Sequence, residues 1–328
     1  MIESPLYFFS AKDVADAVPM EEAVGLMKEA FIQLSSGHAF IPQRVGIEIP
    51  GSRDGALVMP VYSAAIERLG VKLVSIFHDN EKLGLPTIHA LVTIMDATNG
   101  RPLAIMDGEY LTALRTGAAS GFATDLLARQ DSETLAIIGA GAQGRTQLKG
   151  VCAVRDIKMC YIYDKNRDTA LSFIDDLSSG SKVEFALLEN PVDLAEADII
   201  CTATTSSKPV FEDANISNGT HINAIGAYTP KMSEVPVETI ARSRIAVDQR
   251  SACLNEAGDL INAVGAGKIT IESLAELGEI ASGEIRGRRD ESEITLFKSV
   301  GNAIQDLVAA NRVLENGLRN DLGTRVSL

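Results

Sequence analysis

Residues 134–147 read TLAIIGAGAQGRTQ, and this stretch restricts the fold more tightly than any other. A β-prone run at 134–138 leads directly into Gly139-Ala140-Gly141-Ala142-Gln143-Gly144, and residues 145–154 are predicted to form a helix. In such a turn Gly139 permits the tight strand-to-helix bend. Gly141 lets the backbone approach a pyrophosphate, and Gly144 lets helix and strand pack closely. Phosphates would sit on the open N–H groups of the helix N-terminus, where the helix dipole also favours negative charge. Glycine-rich turns are common, so the triplet alone is weak. Here a second predicted strand, 159–163, follows at βαβ distance and ends in Asp164, twenty residues after Gly144. That acid is placed to hydrogen-bond a ribose 2′-hydroxyl. Strand, turn, helix and acid together predict a dinucleotide-binding unit.

The whole chain, 328 residues, has room for two domains. Its hydrophobic fraction of 46% and charged fraction of 23% are those of a soluble globular protein. A net charge of −14 argues against nucleic acid or an anionic membrane as partner. The start, MIESPLYFFSAKD, has no basic segment followed by an apolar core, so no signal peptide is expected and the location is read as cytoplasmic. No apolar run reaches membrane-spanning length. Cys152, Cys160, Cys201 and Cys253 show no CxxC pairing and are read as reduced core thiols. His38, His78, His89 and His221 lack metal-ligand spacing, so no metal site is expected.

Before the glycine motif the pattern is α+β. Ser10 with Asp13 marks a helix start, and Val24, Met27, Phe31 and Leu34 recur at helical spacing until Gly37. From Phe40 the period changes to two, with Val45, Ile47 and Ile49 alternating with Arg44, Gly46 and Glu48. Strands follow at 56–59, 70–77 and 89–96. Two cations stand in apolar surroundings. Lys72 lies in VKLVSIF and either snorkels at a sheet edge or is buried beside an anion. Arg115 falls in the middle of the apolar stripe Leu111, Leu114, Ala118, Phe122 and Leu126 of a helix predicted over 109–129. A guanidinium keeps its proton there, so it needs an anion. That partner is either Asp107 or Glu109 within the protein, or a carboxylate of the substrate.

After Asp164 the chain alternates: a helix at 169–177, strands at 183–187 and 198–203, the buried run GTHINAIGAY at 219–228, a helix at 236–241 and a strand at 244–248. This alternation predicts an α/β fold with a doubly wound parallel sheet, whose ligands bind beyond the carboxyl ends of the strands. Thr202 and Thr204 close one strand there and are read as lining the cofactor cleft. The last helix, 301–318, carries Ile304, Leu307, Val308 and Leu314 at helical spacing. It is long enough to pack back on the first region.

Several segments together resemble the ornithine cyclodeaminase/μ-crystallin family. They are Pro42-Gln43-Arg44, Gly84-Leu85-Pro86-Thr87, the run PLAIMDG at 102–108, Leu114-Arg115-Thr116-Gly117-Ala118-Ala119, IIGAGAQG, GTHINAIGA and Lys298-Ser299-Val300-Gly301. The resemblance implies a substrate-binding and dimerisation domain at 1–130, completed by 302–328, with a Rossmann domain at 131–301 inserted between. It implies a homodimer, and it places Arg44, Lys72 and Arg115 around the α-carboxylate and imine or amine of the substrate. Val300 matches a position at the substrate. Thr87, Ala142, Gln143, Asp164, Ile225 and Ser299 match cofactor contacts. The family's reactions move hydride between a nicotinamide and a carbon bearing nitrogen and carboxylate.

At position 228 the chain departs from the cyclodeaminases, which carry an aspartate there for the distal amine of the substrate. The alanine dehydrogenase branch also has an acid there. Here the residue is Tyr228, neutral at pH 7. Tyr228 either closes a substrate pocket or points into solvent while another acid, such as Glu234, supplies the charge. The expectation is a reductase of cyclic α-imino acids, giving proline or pipecolate, with NAD(H) preferred through Asp164. NADP(H) is the alternative through Lys165 and Arg167. Ornithine cyclodeaminase, alanine dehydrogenase and a μ-crystallin-like binding protein are the competing readings.

Overall fold

A computed structural model describes residues 5–191 and 194–327, so the first four residues of the stretch read for a signal peptide lie outside it. The chain opens with β1 (Leu6–Phe9) and α1 (Ala11–Ala17), whose start is the expected capping box. The Asp13 amide donates to Ser10 Oγ at 3.2 Å, and the Ser10 amide donates to the Asp13 carboxylate at 2.9 Å. Helix α2 (Met20–Ser35) starts after Pro19 and buries Val24, Met27, Phe31 and Leu34. There follow β2 (Ala39–Phe40), β3 (Val45–Glu48), β4 (Gly55–Ser63), β5 (Arg68–Ile76), β6 (Ile88–Asp96), β7 (Pro102–Asp107) and helix α3 (Gly108–Leu127). Strands β3 to β7 pair antiparallel in sequence, and β1 joins β7 in parallel.

The central region contains β8 (Thr134–Ile138), α4 (Ala142–Cys152), β9 (Met159–Tyr163), α5 (Arg167–Ser178), β10 (Glu184–Leu187), β11 (Ile199–Thr202) and β12 (His221–Ala224). It continues through α6 (Val237–Ala241), β13 (Ser243–Val247), α7 (Arg250–Glu256), α8 (Gly258–Gly265), β14 (Leu274–Glu276), α9 (Leu277–Ala281) and β15 (Ile294–Lys298). Its sheet has the order β10-β9-β8-β11-β12-β15-β13-β14, and each neighbouring pair is parallel. This is the expected doubly wound sheet, with β14 and β15 added to the strands that periodicity picked out. Every residue of β11, β12 and β15 is buried, as expected where helices cover both faces.

The chain then closes with α10 (Ala303–Arg319) and β16 (Thr324–Val326), which pairs with β1. Contacts divide it into two compact units, Met1–Arg115 with Asn302–Leu328, and Thr116–Gly301. Within the second unit α3 and α4 touch through backbone. A Cβ on Gly150 would stand 2.0 Å from the Gly117 carbonyl oxygen, so no larger residue fits without separating the helices. The carbonyls at the end of α3 are capped by guanidiniums. Arg155 Nη2 donates to Thr124 O at 3.1 Å and Ala128 O at 3.0 Å, and Arg288 Nε donates to Leu127 O at 2.6 Å.

In the first unit the two faces of the antiparallel sheet differ. One row across it, Met59, Lys72, Val92 and Met106, is buried under the returning α10, whose Leu307 lies against Gly70. The adjacent row on the other face is Val45, Val58, Leu73 and Leu91. There Val45 is 56% exposed, Leu73 45% and Leu91 44%. The alternation has therefore produced a sheet apolar on both faces, with one face uncovered.

Candidate active site

The covered face of the first unit carries a charged cluster. Lys72 projects from the middle of β5, a central strand, and is 4% exposed. Its Nζ donates to Asp306 Oδ2 at 2.8 Å. Arg115, 5% exposed, donates from Nε to Asp306 Oδ1 at 3.0 Å and from Nη1 to Gln305 Oε1 at 2.8 Å. Arg44 stands near enough for its charge to act on Lys72. The three cations singled out in the sequence are thus gathered at one place. Lys72 is not at a sheet edge; it is buried beside an anion.

Neither acid expected to pair with Arg115 does so. Asp107 accepts from the Tyr110 amide at 2.8 Å, and Glu109 pairs with His89 at 3.0 Å. The partner is Asp306, from the first turn of α10, which sequence reasoning missed. On the helical wheel Asp306 lies opposite Ile304, Leu307 and Val308, on the side expected to meet water. In the structure the helix is buried all round from Ala303 to Ala310.

The electrostatics follow from burial. Removal from water pushes the Lys72 pKa down to about 8, the Asp306 carboxylate offsets part of this, and the charges of Arg115 and Arg44 push the same way as burial. Burial acts to raise the Asp306 pKa, but Arg115 and Lys72 together outweigh it and hold the carboxyl below its usual range. Lys72 and Arg115 share this one carboxylate. The cluster therefore keeps an excess of positive charge in a dry setting, which suits an incoming carboxylate.

The second unit gathers another set. Ile138 is in register with Tyr163 and Thr202, Thr202 with Ala224, and Ala224 with Lys298. Because these strands are parallel, the residues that follow them stand side by side at the carboxyl end of the sheet. They are the glycine turn after β8, Asp164 after β9, Thr204 after β11, Ile225 and Tyr228 after β12, and Ser299 and Val300 after β15. Thr87 is not among them; it belongs to the first unit, between β5 and β6, where its carbonyl accepts from the Phe77 amide at 2.8 Å.

This crest fits a dinucleotide. Gly139 adopts φ +104°, and a Cβ there would lie 2.5 Å from the Ala203 carbonyl oxygen. A Cβ on Gly144 would lie 2.2 Å from the Gly139 carbonyl oxygen. Gly141 has open space where its side chain would be and makes no side-chain cap for α4, so the first amides of that helix are left for a phosphate. Ala142 is exposed and Gln143 partly so. Asp164 accepts from the Ala140 amide at 2.9 Å and from the Asn166 amide at 2.9 Å, which fixes its carboxylate beside the turn. Thr202 is fully buried within the sheet, and Ile225 is buried as well.

Two further acids, Glu234 and Asp248, stiffen this crest. Asp248 Oδ2 accepts from Ser299 Oγ at 2.8 Å and from the amides of Val300 and Gly301, each at 2.9 Å. Glu234 is fully buried and accepts from Thr204 and from the turn after Ala224, so it is not an acid open to a substrate amine. Tyr228 packs partly buried against the apolar core of this unit, and burial raises its phenol pKa. It does not simply point into solvent. His221 is structural: burial pushes its pKa down to about 3, and it bonds Thr295 Oγ1 at 2.9 Å and Asn223 Oδ1 at 3.2 Å. Among the described residues no group of three or more His, Cys, Asp or Glu could hold a metal ion.

Replacing Asp306 tests the shared carboxylate. Asp306→Asn leaves buried cations without their counter-charge and is expected to cost roughly 3–5 kcal/mol at pH 7, read by urea unfolding. A buried lysine with a depressed folded pKa binds fewer protons than the unfolded chain, so stability rises with pH. Without Asp306 the Lys72 pKa falls below its wild-type value of about 8, so part of the loss should return as the pH is raised toward 8, where the variant's lysine has shed its proton before the wild type's. An unfolding midpoint unchanged at both pH values would refute this account.

The chain matches the model of the ornithine cyclodeaminase/mu-crystallin family over residues 7–321. It is 37% identical over 320 residues to a Delta(1)-pyrroline-2-carboxylate reductase of Bacillus cereus, covering 97% of this chain and 98% of that one. Among solved structures it is similar to the Thermococcus litoralis Delta(1)-pyrroline-2-carboxylate reductase in complex with NADH and L-proline. The TM-score is 0.94 at 40% identity, covering 98% of this chain and 100% of the other. An archaeal alanine dehydrogenase dimer with bound NAD matches with a TM-score of 0.92 at 33% identity, covering 99% of each chain. This chain belongs to the ornithine cyclodeaminase/mu-crystallin family.

Proposed function

We propose that this protein is an NADH-dependent reductase of cyclic α-imino acids, converting Δ1-pyrroline-2-carboxylate to proline and Δ1-piperideine-2-carboxylate to pipecolate. The observation that carries the reading is the buried cluster in which Lys72 and Arg115 share Asp306, with Arg44 beside them. Such a site attracts a small carboxylate and disfavours a second cation. Two relatives named for the pyrroline reaction, one with NADH and L-proline bound, support the same chemistry.

Arg44 and Arg115 hold the carboxylate and orient the ring, a kind of positioning that can remove roughly 7–11 kcal/mol of barrier. Lys72 holds the proton that the imine nitrogen gains on reduction. Tyr228 and Val300 line the ring methylenes. When bound, NADH supplies the hydride that reduces the C=N carbon. It would be held by the amides of Gly141, Ala142, Gln143 and Gly144 in the turn that Gly139 permits, by Asp164 at the ribose, and by Thr87, Thr202, Thr204, Ile225 and Ser299. A carboxylate at Asp164 repels a 2′-phosphate, and Arg167 is paired with Glu189 at 3.1 Å, so NADH is favoured over NADPH.

The unit Met1–Arg115 with Asn302–Leu328 is the substrate-binding and dimerisation part, and Thr116–Gly301 the cofactor part. The uncovered apolar row of Val45, Leu73 and Leu91 supports a homodimer joined through that sheet face. The four cysteines are free, which supports a reducing cytoplasmic setting for an enzyme of proline metabolism.

A substrate panel decides the reaction. Cyclic imines should be reduced with a higher kcat/KM for NADH than for NADPH. Ornithine should be converted at least about a hundredfold less efficiently, since about 3 kcal/mol is lost where its distal ammonium meets Tyr228 in place of an acid. Efficient cyclodeamination of ornithine, or alanine oxidation exceeding imine reduction, would overturn the assignment.

The pH dependence tests Lys72. Its ammonium is the required form and its pKa is lowered to about 8, so kcat/KM for imine reduction should fall as the pH rises through that value. In Lys72→Arg the side chain cannot shed its proton, so any residual activity should lack this decline. The same alkaline decline in Lys72→Arg would show that another group titrates.

The dimer is tested by light scattering. The wild type should have twice the chain mass, and Leu73→Arg should shift it toward monomer. A monomeric wild type at micromolar concentration would exclude the sheet-face dimer.

A further inference from the structure

Two turns at the carboxyl end of the parallel sheet lose their backbone partners just where the strands stop. The Ala203 amide still donates to Ile138 O at 2.8 Å, and the Ile225 amide to Thr202 O at 3.0 Å. One residue further on, the ladder has ended. A single side chain takes over there. Glu234 Oε1 accepts from the Thr204 amide at 2.7 Å and from Thr204 Oγ1 at 2.8 Å. Its Oε2 accepts from the Gly226 amide at 2.7 Å and the Ala227 amide at 2.9 Å. One carboxylate thus joins the turn after β11 to the turn after β12, as a further strand residue would.

The fit leaves little freedom. A Cβ on Gly226 would meet Thr204 O at 2.3 Å, Glu234 Oε1 at 2.4 Å and Thr204 N at 2.4 Å. Glycine at 226 and glutamate at 234 are therefore required together. The carboxylate is itself held from behind. Asp259 Oδ1 accepts from the Glu234 amide at 2.6 Å, the Val235 amide at 3.1 Å and Ser233 Oγ at 3.0 Å. Its Oδ2 lies 3.0 Å from the Nζ of Lys298, which is fully buried. Lys298 immediately precedes Ser299 and Val300, so the same frame reaches the turn after β15. Burial raises the Glu234 pKa, while Lys298 and the Thr204 donors oppose that rise. Only a carboxylate can accept on both oxygens at once; an amide can accept on one.

We infer that Glu234 is a positioning residue for the proposed reductase, a clamp that sets the Gly226–Ala227 turn and with it the place of Tyr228. Its action depends on reach as well as charge. The kinetic part of this inference rests on the reductase reading, while the mechanical part does not.

The test uses the full-length chain in three forms: wild type, Glu234→Gln and Glu234→Asp. Hydrogen exchange of the amides at 225–229 should accelerate at least about tenfold in both variants, with little change in β8 and β9. The KM for the cyclic imine should rise about tenfold or more, while kcat changes less than about threefold. Glu234→Asp retains the charge but is one methylene short, so it should not rescue either property. Three outcomes would overturn the clamp: exchange at 225–229 as slow as in the wild type, acceleration spread evenly over the whole second unit, or wild-type KM in Glu234→Asp. Should Glu234→Gln fail to fold, Glu234→Asp decides by the same criteria. If the wild type itself reduces no cyclic imine, the reductase reading fails, and the exchange comparison still decides whether Glu234 clamps the turns.

Discussion

The first unit is held at its centre by one carboxylate that serves two cations. Asp306 comes from the last long helix, Lys72 from a central strand and Arg115 from α3, so three distant parts of the chain meet at a single ionic contact. Burying such a group costs free energy, and the loss is offset only when every charge finds a partner with good geometry. Lys72 at 2.8 Å and Arg115 at 3.0 Å meet that demand for the acid. They do not meet it for the cations, which outnumber the acid they share. The contact therefore organises the packing of α10 on the sheet and also leaves an excess of positive charge there. Packing and the local excess of positive charge have one physical origin here.

The second unit solves a different problem. A parallel sheet buried on both faces leaves its carboxyl-end turns with amides that no strand can pair. In the turn after β8 the Gly139 and Ala140 amides donate to Tyr163 O and Asp164, while the amides that open α4 carry no side-chain cap, and Gly139 and Gly144 stand where a Cβ would strike backbone. At the neighbouring turns buried acids take the amides: Glu234 for Thr204, Gly226 and Ala227, and Asp248 for Val300 and Gly301. The amides that open α4 carry no side-chain cap, while those of the other turns are already taken.

Charge placement also sorts the ionisable groups into roles. His221, a residue type often read as catalytic, is neutral and enclosed by Thr295 and Asn223. The Lys72 pKa is lowered to about 8 because burial and two guanidiniums push it down while Asp306 restrains the fall. Glu234 is an acid near Tyr228 in sequence, yet its oxygens are committed to the backbone.

Much was legible from residue order alone. The turn at 139–144, the acid at 164 and the alternating strands and helices are local patterns, and the doubly wound parallel sheet follows from them. Lys72 and Arg115 could be marked as needing an anion because their periodic neighbours are apolar. The identity of that anion could not be read. Asp306 lies 234 positions from Lys72 and on the helix side that periodicity assigns to water, and only the packing of α10 on the sheet brings it inward. Glu234 sits in a segment without a repeating pattern and Asp248 at the end of a predicted strand, and their roles appear once parallel strands bring distant turns to one edge. The sequence by itself determined which elements form and which charges are out of place among apolar neighbours, because propensity and period act over a few residues. Tertiary structure decided which acid meets which cation and which amides remain open, because those depend on contacts between segments that no local pattern encodes.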